Sequence, residues 1–382
     1  MNRSYARFTR RTRTQAPGRQ RGAVAITVAF LMLALLGFGA IAIDLGYLLV
    51  ERNELQNDVD AAALAGAPCL FQRSVCGNLT ATQPDWTTAT NMATSAIKLN
   101  KSGNMTMTQG TVTYGYWNLT GTPSGLQPLP YTPGANDLPA VSVKVSRSTG
   151  QNGGPVSTFL AWAIGVSSEP VSAQAVAAIS YPGNVGNGGL FPVAMSQCMY
   201  NTFWDSTNNK PKTATSATPP SGQPSSVVET AGQPYMFAIT SSYHAGPCEA
   251  GQWTTFGTTS NDVPYIQSLI SDGNPTPVAI GQSPGTYMTP GTKTVLYNNV
   301  NSCSAAGNGS CEYVTVPVVS SLATGAYQPV VAFACLKIDS ATGGSNKYIV
   351  VEMSNNSDKC QTKGGSGIGP AYGALTPPHL VQ

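Results

Sequence analysis

From Gly22 to Ile43 the chain runs for 22 residues in which only Thr27 is polar, and no other stretch limits its options so tightly. As a helix rising about 1.5 Å per residue, the run is roughly 33 Å long, enough to cross the hydrocarbon of a bilayer. A membrane span is the expectation. The alternative is a cleaved secretory signal, whose apolar core normally runs only about 7 to 15 residues before a small-residue cleavage site. Ala65-Gly66-Ala67 has the form of such a site but lies well past the apolar core, which favours a retained anchor.

Charge sets the direction of that anchor. Arg3, Arg7, Arg10, Arg11, Arg13, Arg19 and Arg21 precede it with no acidic residue among them, the bias that keeps a flank in the cytoplasm. Residues 1–21 are therefore expected to be a short cytoplasmic arm, with the chain from residue 51 onward exported. Without those seven arginines, 13 basic residues face 17 acidic ones, a formal charge of −4. No basic folded domain remains to support a nucleic-acid partner.

The helix is expected to continue beyond the membrane. Leu48, Leu55, Val59 and Ala62 recur at helical spacing, while Glu51, Arg52, Glu54, Asn57, Asp58 and Asp60 occupy the other faces. Gly66 and Pro68 stop the pattern, so residues 22–67 read as one span extended into a stalk. Asp44 stands where the helix leaves hydrocarbon, and its carboxylate is expected to reach interfacial water. The run Asp60 to Ala67 would let another element approach closely, although helix propensity accounts for it equally well.

The segment from Arg21 to Ala67 resembles the Tad-like N-terminal segment of the TadG-related proteins of Flp (tight adherence) pilus systems. The likeness rests on Arg21-Gly22 entering the span, Asp44 with Tyr47 at its outer end, and Leu55-Gln56 followed by Asp60-Ala61-Ala62-Ala63-Leu64-Ala65-Gly66. It implies a single-pass protein of a bacterial inner membrane with its bulk in the periplasm. The implied role is non-enzymatic scaffolding, with other pilus assembly or secretion components as partners. Gly22, Ile43, Asp44 and Tyr47 mark the anchor. The alternative is a minor pilin or surface adhesin released by prepilin-type cleavage near Gly22. Such subunits usually carry Glu five residues after the glycine, where this chain has Thr27. TadG proteins can also carry a D-x-S-x-S metal site. Asp205-Ser206-Thr207 and Asp339-Ser340-Ala341-Thr342 lack that pattern, so no metal and no cofactor is expected.

Cys69, Cys76, Cys198, Cys248, Cys303, Cys311, Cys335 and Cys360 all come after the span, on the side expected to be oxidising. No C-x-x-C occurs, and with only His244 and His379 in the chain, zinc ligation is poorly supported. Disulfides are the better reading. Eight cysteines allow on the order of a hundred pairings; proximity favours Cys69 with Cys76 and Cys303 with Cys311, then Cys198 with Cys248 and Cys335 with Cys360.

With 10% charged residues, 40 glycines and 28 prolines, the exported part reads as an α+β body rich in short strands and turns. Residues 68–182 are expected to form a small α+β domain. It would hold a helix over 84–99, strands over 105–117, 138–147 and 171–180, and a short apolar helix over 155–166. This order also resembles the segment after the anchor in TadG-related proteins. Residues 183–189 read as a linker, because glycines leave little to pack. Residues 190–360 then read as a β-rich C-terminal domain, with strands over 235–240, 294–297, 313–319, 330–338 and 347–353, a helix over 263–270 and a polar loop over 205–226. Residues 361–382 are expected to be a flexible tail.

Catalytic patterns are excluded on chemistry. Gly281-Gln282-Ser283-Pro284-Gly285 has the form G-x-S-x-G, but a nucleophile elbow needs the N–H of the residue after the serine, and Pro284 has none. His244 near Cys248 and Glu249 could in principle serve a nucleophile; a disulfide at Cys248 removes that option. The glycine runs at 183–189 and 364–369 match neither the dinucleotide fingerprint nor the phosphate loop. The 16 tyrosines and Trp117, Trp162, Trp204 and Trp253 could form a binding surface, or simply fill strand faces. No enzymatic activity is expected.

Overall fold

The structure, a computed structural model, describes residues 21–79, 83–218, 223, 227–241, 248 and 250–382. The expected basic arm, apart from Arg21, lies outside the described residues, as do His244 and Glu249. Contacts group the chain into two compact units, Met1–Asn53 with Arg147–Val171 and Glu54–Ser146 with Ser172–Gln382. The regions expected as an α+β domain and a β-rich domain fall mostly within the second unit.

Helix α1 (Arg21–Gly66) is unbroken over 46 residues. Nothing in its sequence removes a backbone donor, so every turn can close its own hydrogen bonds. Its apolar half is exposed all round, with Phe30 at 68% and Phe38 at 73%, and it is long and apolar enough to cross a membrane. In the second unit, α1 buries Leu55, Val59, Ala62 and Ala63 completely. Its last residue, Gly66, meets α2 (Trp86–Ile97), whose first turn is capped by the Asp85 carboxylate accepting from the Thr88 N–H at 3.1 Å. A Cβ on Gly66 would stand 2.8 Å from both the Ala89 carbonyl oxygen and the Ala93 Cβ. Close approach of the two helices thus uses Gly66 at the end of α1, beyond what propensity requires.

Strands β1 (Thr111–Asn118), β2 (Leu126–Gln127), β3 (Asp137–Arg147) and β4 (Val171–Ala178) form an antiparallel sheet in the order β4-β3-β1-β2. Trp86 of α2 stacks on Tyr114 and meets Tyr116 edge-on, fixing the helix to β1.

Six strands then close a barrel. They are β5 (Val193–Ser196), β6 (Met236–Ser241), β7 (Ala250–Trp253), β8 (Tyr313–Val319), β9 (Val330–Thr342) and β10 (Tyr348–Met353), in the order β5-β7-β6-β10-β9-β8 with β8 returning to β5 in parallel. On β9, Ala332, Ala334, Leu336 and Ile338 enter one core with Phe237 and Val316, whereas Phe333 and Cys335 enter a second with Phe256. Burial on both faces explains why these strands are apolar at consecutive positions. Helices α3 (Gln197–Phe203), α4 (Val263–Asp272) and α5 (Thr294–Cys303) complete the cores.

Three expectations are corrected. Thr294–Tyr297, read as a strand, opens α5: Leu296, Tyr297 and Val300 are buried at helical spacing, and that burial overrides the β-branched and aromatic local signal. Residues 183–189 and the tail are not loose. The Gly183 and Asn184 N–H groups donate to the Ser366 carbonyl at 3.0 and 3.1 Å, and the Gly369 N–H donates to the Tyr181 carbonyl at 2.9 Å. The two glycine runs lie on each other; a Cβ on Gly183 would stand 2.9 Å from the Ile368 nitrogen. Glycine here permits close backbone approach rather than freedom. The chain then reaches β11 (His379–Leu380), which pairs with β4 and adds a fifth strand to the first sheet.

Disulfides join Cys69–Cys76, Cys198–Cys248, Cys303–Cys311 and Cys335–Cys360. The last ties β9 to the start of the C-terminal return. A polar clamp supplements it: the Arg73 guanidinium donates to the Ser357 carbonyl at 3.0 Å, and the Ser74 N–H donates to the Asp358 carboxylate at 2.8 Å. Burial by itself would raise the Asp358 pKa, but the Ser74 hydroxyl and N–H and the Arg73 charge outweigh it and hold it below the ordinary value of 3.8.

Gly369→Val should destabilise the chain by about 1–3 kcal/mol, read as a lower urea midpoint, because the added side chain meets the Pro182 backbone. Replacing Cys335 and Cys360 together by Ala should lower stability by about 3 kcal/mol, and peptide mapping without reduction should recover the four pairs above. The contribution of Asp358 is present at neutral pH and lost as the pH falls below 3.8 and through its lowered folded value. Asp358→Asn should therefore flatten the acid limb of the stability profile while leaving its shape near neutrality unchanged.

Candidate functional site

Between β3 and β4 the chain leaves the sheet in a hairpin, and this hairpin together with the first part of α1 makes up the first unit. Residues 155–166, expected as a short helix, form the end of it. Val156–Ser157 pairs with Ser168–Glu169, and only Ala161–Ile164 turns, as a single 3-10 segment. A helix needs an apolar stripe to bury, and here Phe159 and Trp162 are 60% and 64% exposed. Gly165, at φ +92°, ends the turn in the left-handed region, where a Cβ would be strained. The Thr158 hydroxyl donates to the Val166 carbonyl at 2.6 Å and closes the loop.

Asp44 is the pivot of this unit. Its carboxylate accepts the N–H of Phe159 at 2.6 Å, of Leu160 at 3.0 Å and of Ala161 at 2.5 Å. The side chain is 4% exposed. The expectation that it turns to interfacial water is thus corrected: three orphan donors at the start of the 3-10 turn replace the water. Tyr47, one turn along, meets the Phe159 ring edge-on with centroids 5.1 Å apart.

Two turns beyond Asp44, Glu51 is 1% exposed and accepts from the Arg147 guanidinium at 2.8 Å. In the sequence Glu51 falls among the residues on the other faces of the stalk; in the structure it is half of a buried ion pair. Within the second unit, Glu54 and Asp58 act likewise, accepting from the Gly103 N–H at 2.7 Å and the Asn100 amide at 2.9 Å. None of these partners is legible locally, since Arg147 lies 96 residues from Glu51 and Ala161 lies 117 from Asp44. The available signal was a set of acidic residues at helical spacing along an otherwise apolar seam. Of the other anchor residues, Gly22 is in the first turn of α1 and Ile43 is 57% exposed.

The chemistry set aside on sequence finds no assembled site among the described residues. Gly281–Gly285 is a turn whose two glycines have φ of +69° and +90°, and the Gly281 N–H is taken by the Val330 carbonyl. No group of three or more His, Cys, Asp or Glu side chains is placed to hold a metal among the described residues. A cavity of about 670 Å³ in the second unit is lined by Phe71, Tyr116, Asp137, Tyr181 and Asn208 among others. It holds one carboxylate, whose hydrogen bonds go to Gly134, Asn118 and Tyr131.

These features define a class: a protein whose apolar helix, long enough to cross a membrane, continues into a disulfide-bonded α+β body. The profile of a family described as Flp pilus-assembly TadE/G-like matches residues 22–68, and that of a family described as Tad-like Flp pilus-assembly matches residues 76–177. Over these segments, which hold α1, α2 and the hairpin, the chain is similar to Tad-related Flp pilus-assembly proteins. No curated protein and no solved structure matches it.

Arg147→Met should be severely destabilising, on the order of 3–5 kcal/mol, because it leaves Glu51 buried and uncompensated. The double variant Glu51→Gln with Arg147→Met should recover much of that loss, as a thermal-shift series would register. Asp44→Ala should release Phe159, Leu160 and Ala161, seen as faster amide exchange confined to the hairpin end.

Proposed function

We propose that this chain is a non-enzymatic scaffold of the Flp/Tad pilus assembly and secretion machinery, held in the bacterial inner membrane by α1 with its N-terminus cytoplasmic and its body periplasmic. What carries the reading is the continuity of α1: the same 46-residue helix is apolar on every face at one end and buries a complete core seam at the other. Release by cleavage near Gly22 would leave an apolar helix needing a filament to cover it. The barrel is closed, but the five-stranded sheet is open, so the body offers sheet edges as well as loops to other assembly components.

Three measurements test this. Mass spectrometry of the membrane-bound chain should find the arginine arm intact; a start at Ala23 would support the minor pilin or adhesin instead. In-cell photo-crosslinking from the exported body should capture another pilus-assembly component, and a body free of every such component would sink the scaffold. A carboxyl-terminal alkaline phosphatase fusion should be active and a fluorescent-protein fusion dark.

A further inference from the structure

The end of the hairpin exposes a run of large apolar side chains: Phe159, Leu160 and Trp162 are 60%, 42% and 64% exposed within four residues. From Gly153 to Ser168 the sequence carries no charged side chain. Fully covering such side chains would gain on the order of 1.5–3 kcal/mol each, so the patch calls for an occupant.

Its position identifies that occupant. The three N–H groups of Phe159, Leu160 and Ala161 are fixed on Asp44, one residue past the last apolar residue of the span. The loop therefore stands at the level where α1 leaves hydrocarbon. At the same level of α1, Ile41, Ile43 and Leu45 are likewise exposed, at 52%, 57% and 54%, and the Tyr47–Phe159 contact ties the loop to the helix there. Trp is the side chain best suited to this depth, since its ring is apolar and its N–H can stay hydrated.

The backbone meets the same requirement. Near lipid, an irregular loop must satisfy its own polar groups. Asp44 takes three N–H groups, the Gly165 N–H donates to the Trp162 carbonyl at 3.0 Å, the Val166 N–H to the Ala161 carbonyl at 3.1 Å, and the Thr158 N–H to the Ser167 carbonyl at 3.1 Å.

We propose that the loop Thr158–Val166 is a second membrane contact, with Phe159, Leu160 and Trp162 seated among phospholipids at the headgroup and upper acyl level of the bilayer that α1 crosses. The Asp44 carboxylate is the peg that sets its depth. The two contacts together fix the rotation of α1 about its axis, which a lone span leaves free.

This second contact rests on α1 being a retained span, and flotation and quenching report on the two separately. The full chain is reconstituted in phosphatidylcholine–phosphatidylglycerol vesicles in which part of the phosphatidylcholine is brominated near the headgroup end of its acyl chains. Trp emission of the native chain is compared with that of Trp162→Phe, an exposed position where Phe leaves the fold intact. The native chain should show bromolipid-quenched emission and Trp162→Phe should lose that component, with both floating alongside the vesicles. Equal quenching of both chains overturns the proposal. So does a floating chain whose Trp162 is quenched by aqueous iodide and not by bromolipid, or by neither, which would indicate water or a protein cover. A chain that does not float overturns the anchor itself.

Discussion

The structure depends on α1 staying helical across a change of solvent. In lipid a spanning segment must satisfy every backbone group internally, and from Arg21 to Gly66 no residue interrupts that ladder. The backbone is thus indifferent to its surroundings, and the side chains alone adapt: apolar on all faces at first, then apolar along a seam of Leu55, Val59, Ala62 and Ala63. A Pro or a loop at the membrane surface would have separated anchor from body. Its absence lets one helix carry both the apolar run and, from Leu55 on, residues of the body's core.

The acidic residues on that helix have an unusual task. Asp44 and Glu51 are seven residues apart and so share a face, as do Glu54 and Asp58, four apart. Each accepts hydrogen bonds from a segment remote in sequence: the hairpin end, Arg147, Gly103 and Asn100. They act as sockets in which other parts of the chain are registered. Buried acidic groups contribute little to stability by themselves, but misplacing any partner leaves a buried charge unmet, which favours one arrangement over its neighbours. At the chain's end the registration is made by neutral groups, where Ser366 and Asn184 exchange exposed hydrogen bonds between two glycine runs.

Much of this was legible in the sequence because the signals are local. The span comes from an apolar run of known rise, the stalk from helical spacing, and the barrel strands from consecutive apolar residues such as Val330 to Cys335. Where local signals mislead, the cause is the same each time. Thr294–Tyr297 looks like a strand until Val300 is seen to share its buried face. The glycines at 183–189 look like a linker until the segment pressing on them, 364–369, is in view. Residues 155–166 look like a short apolar helix, yet no core receives that face.

The sequence alone determined the membrane-length helix, its extension into an amphipathic stalk, the strand-rich character of the body beyond it and the absence of familiar catalytic patterns, because each depends on neighbours within a few residues. Only tertiary structure decided that Asp44 and Glu51 are buried and partnered, that two glycine runs interlock, and that the last residues close a sheet begun at Thr111. Those outcomes are contacts between segments tens to hundreds of residues apart. Their free energy comes from burial and hydrogen bonding across the fold, which no local pattern encodes.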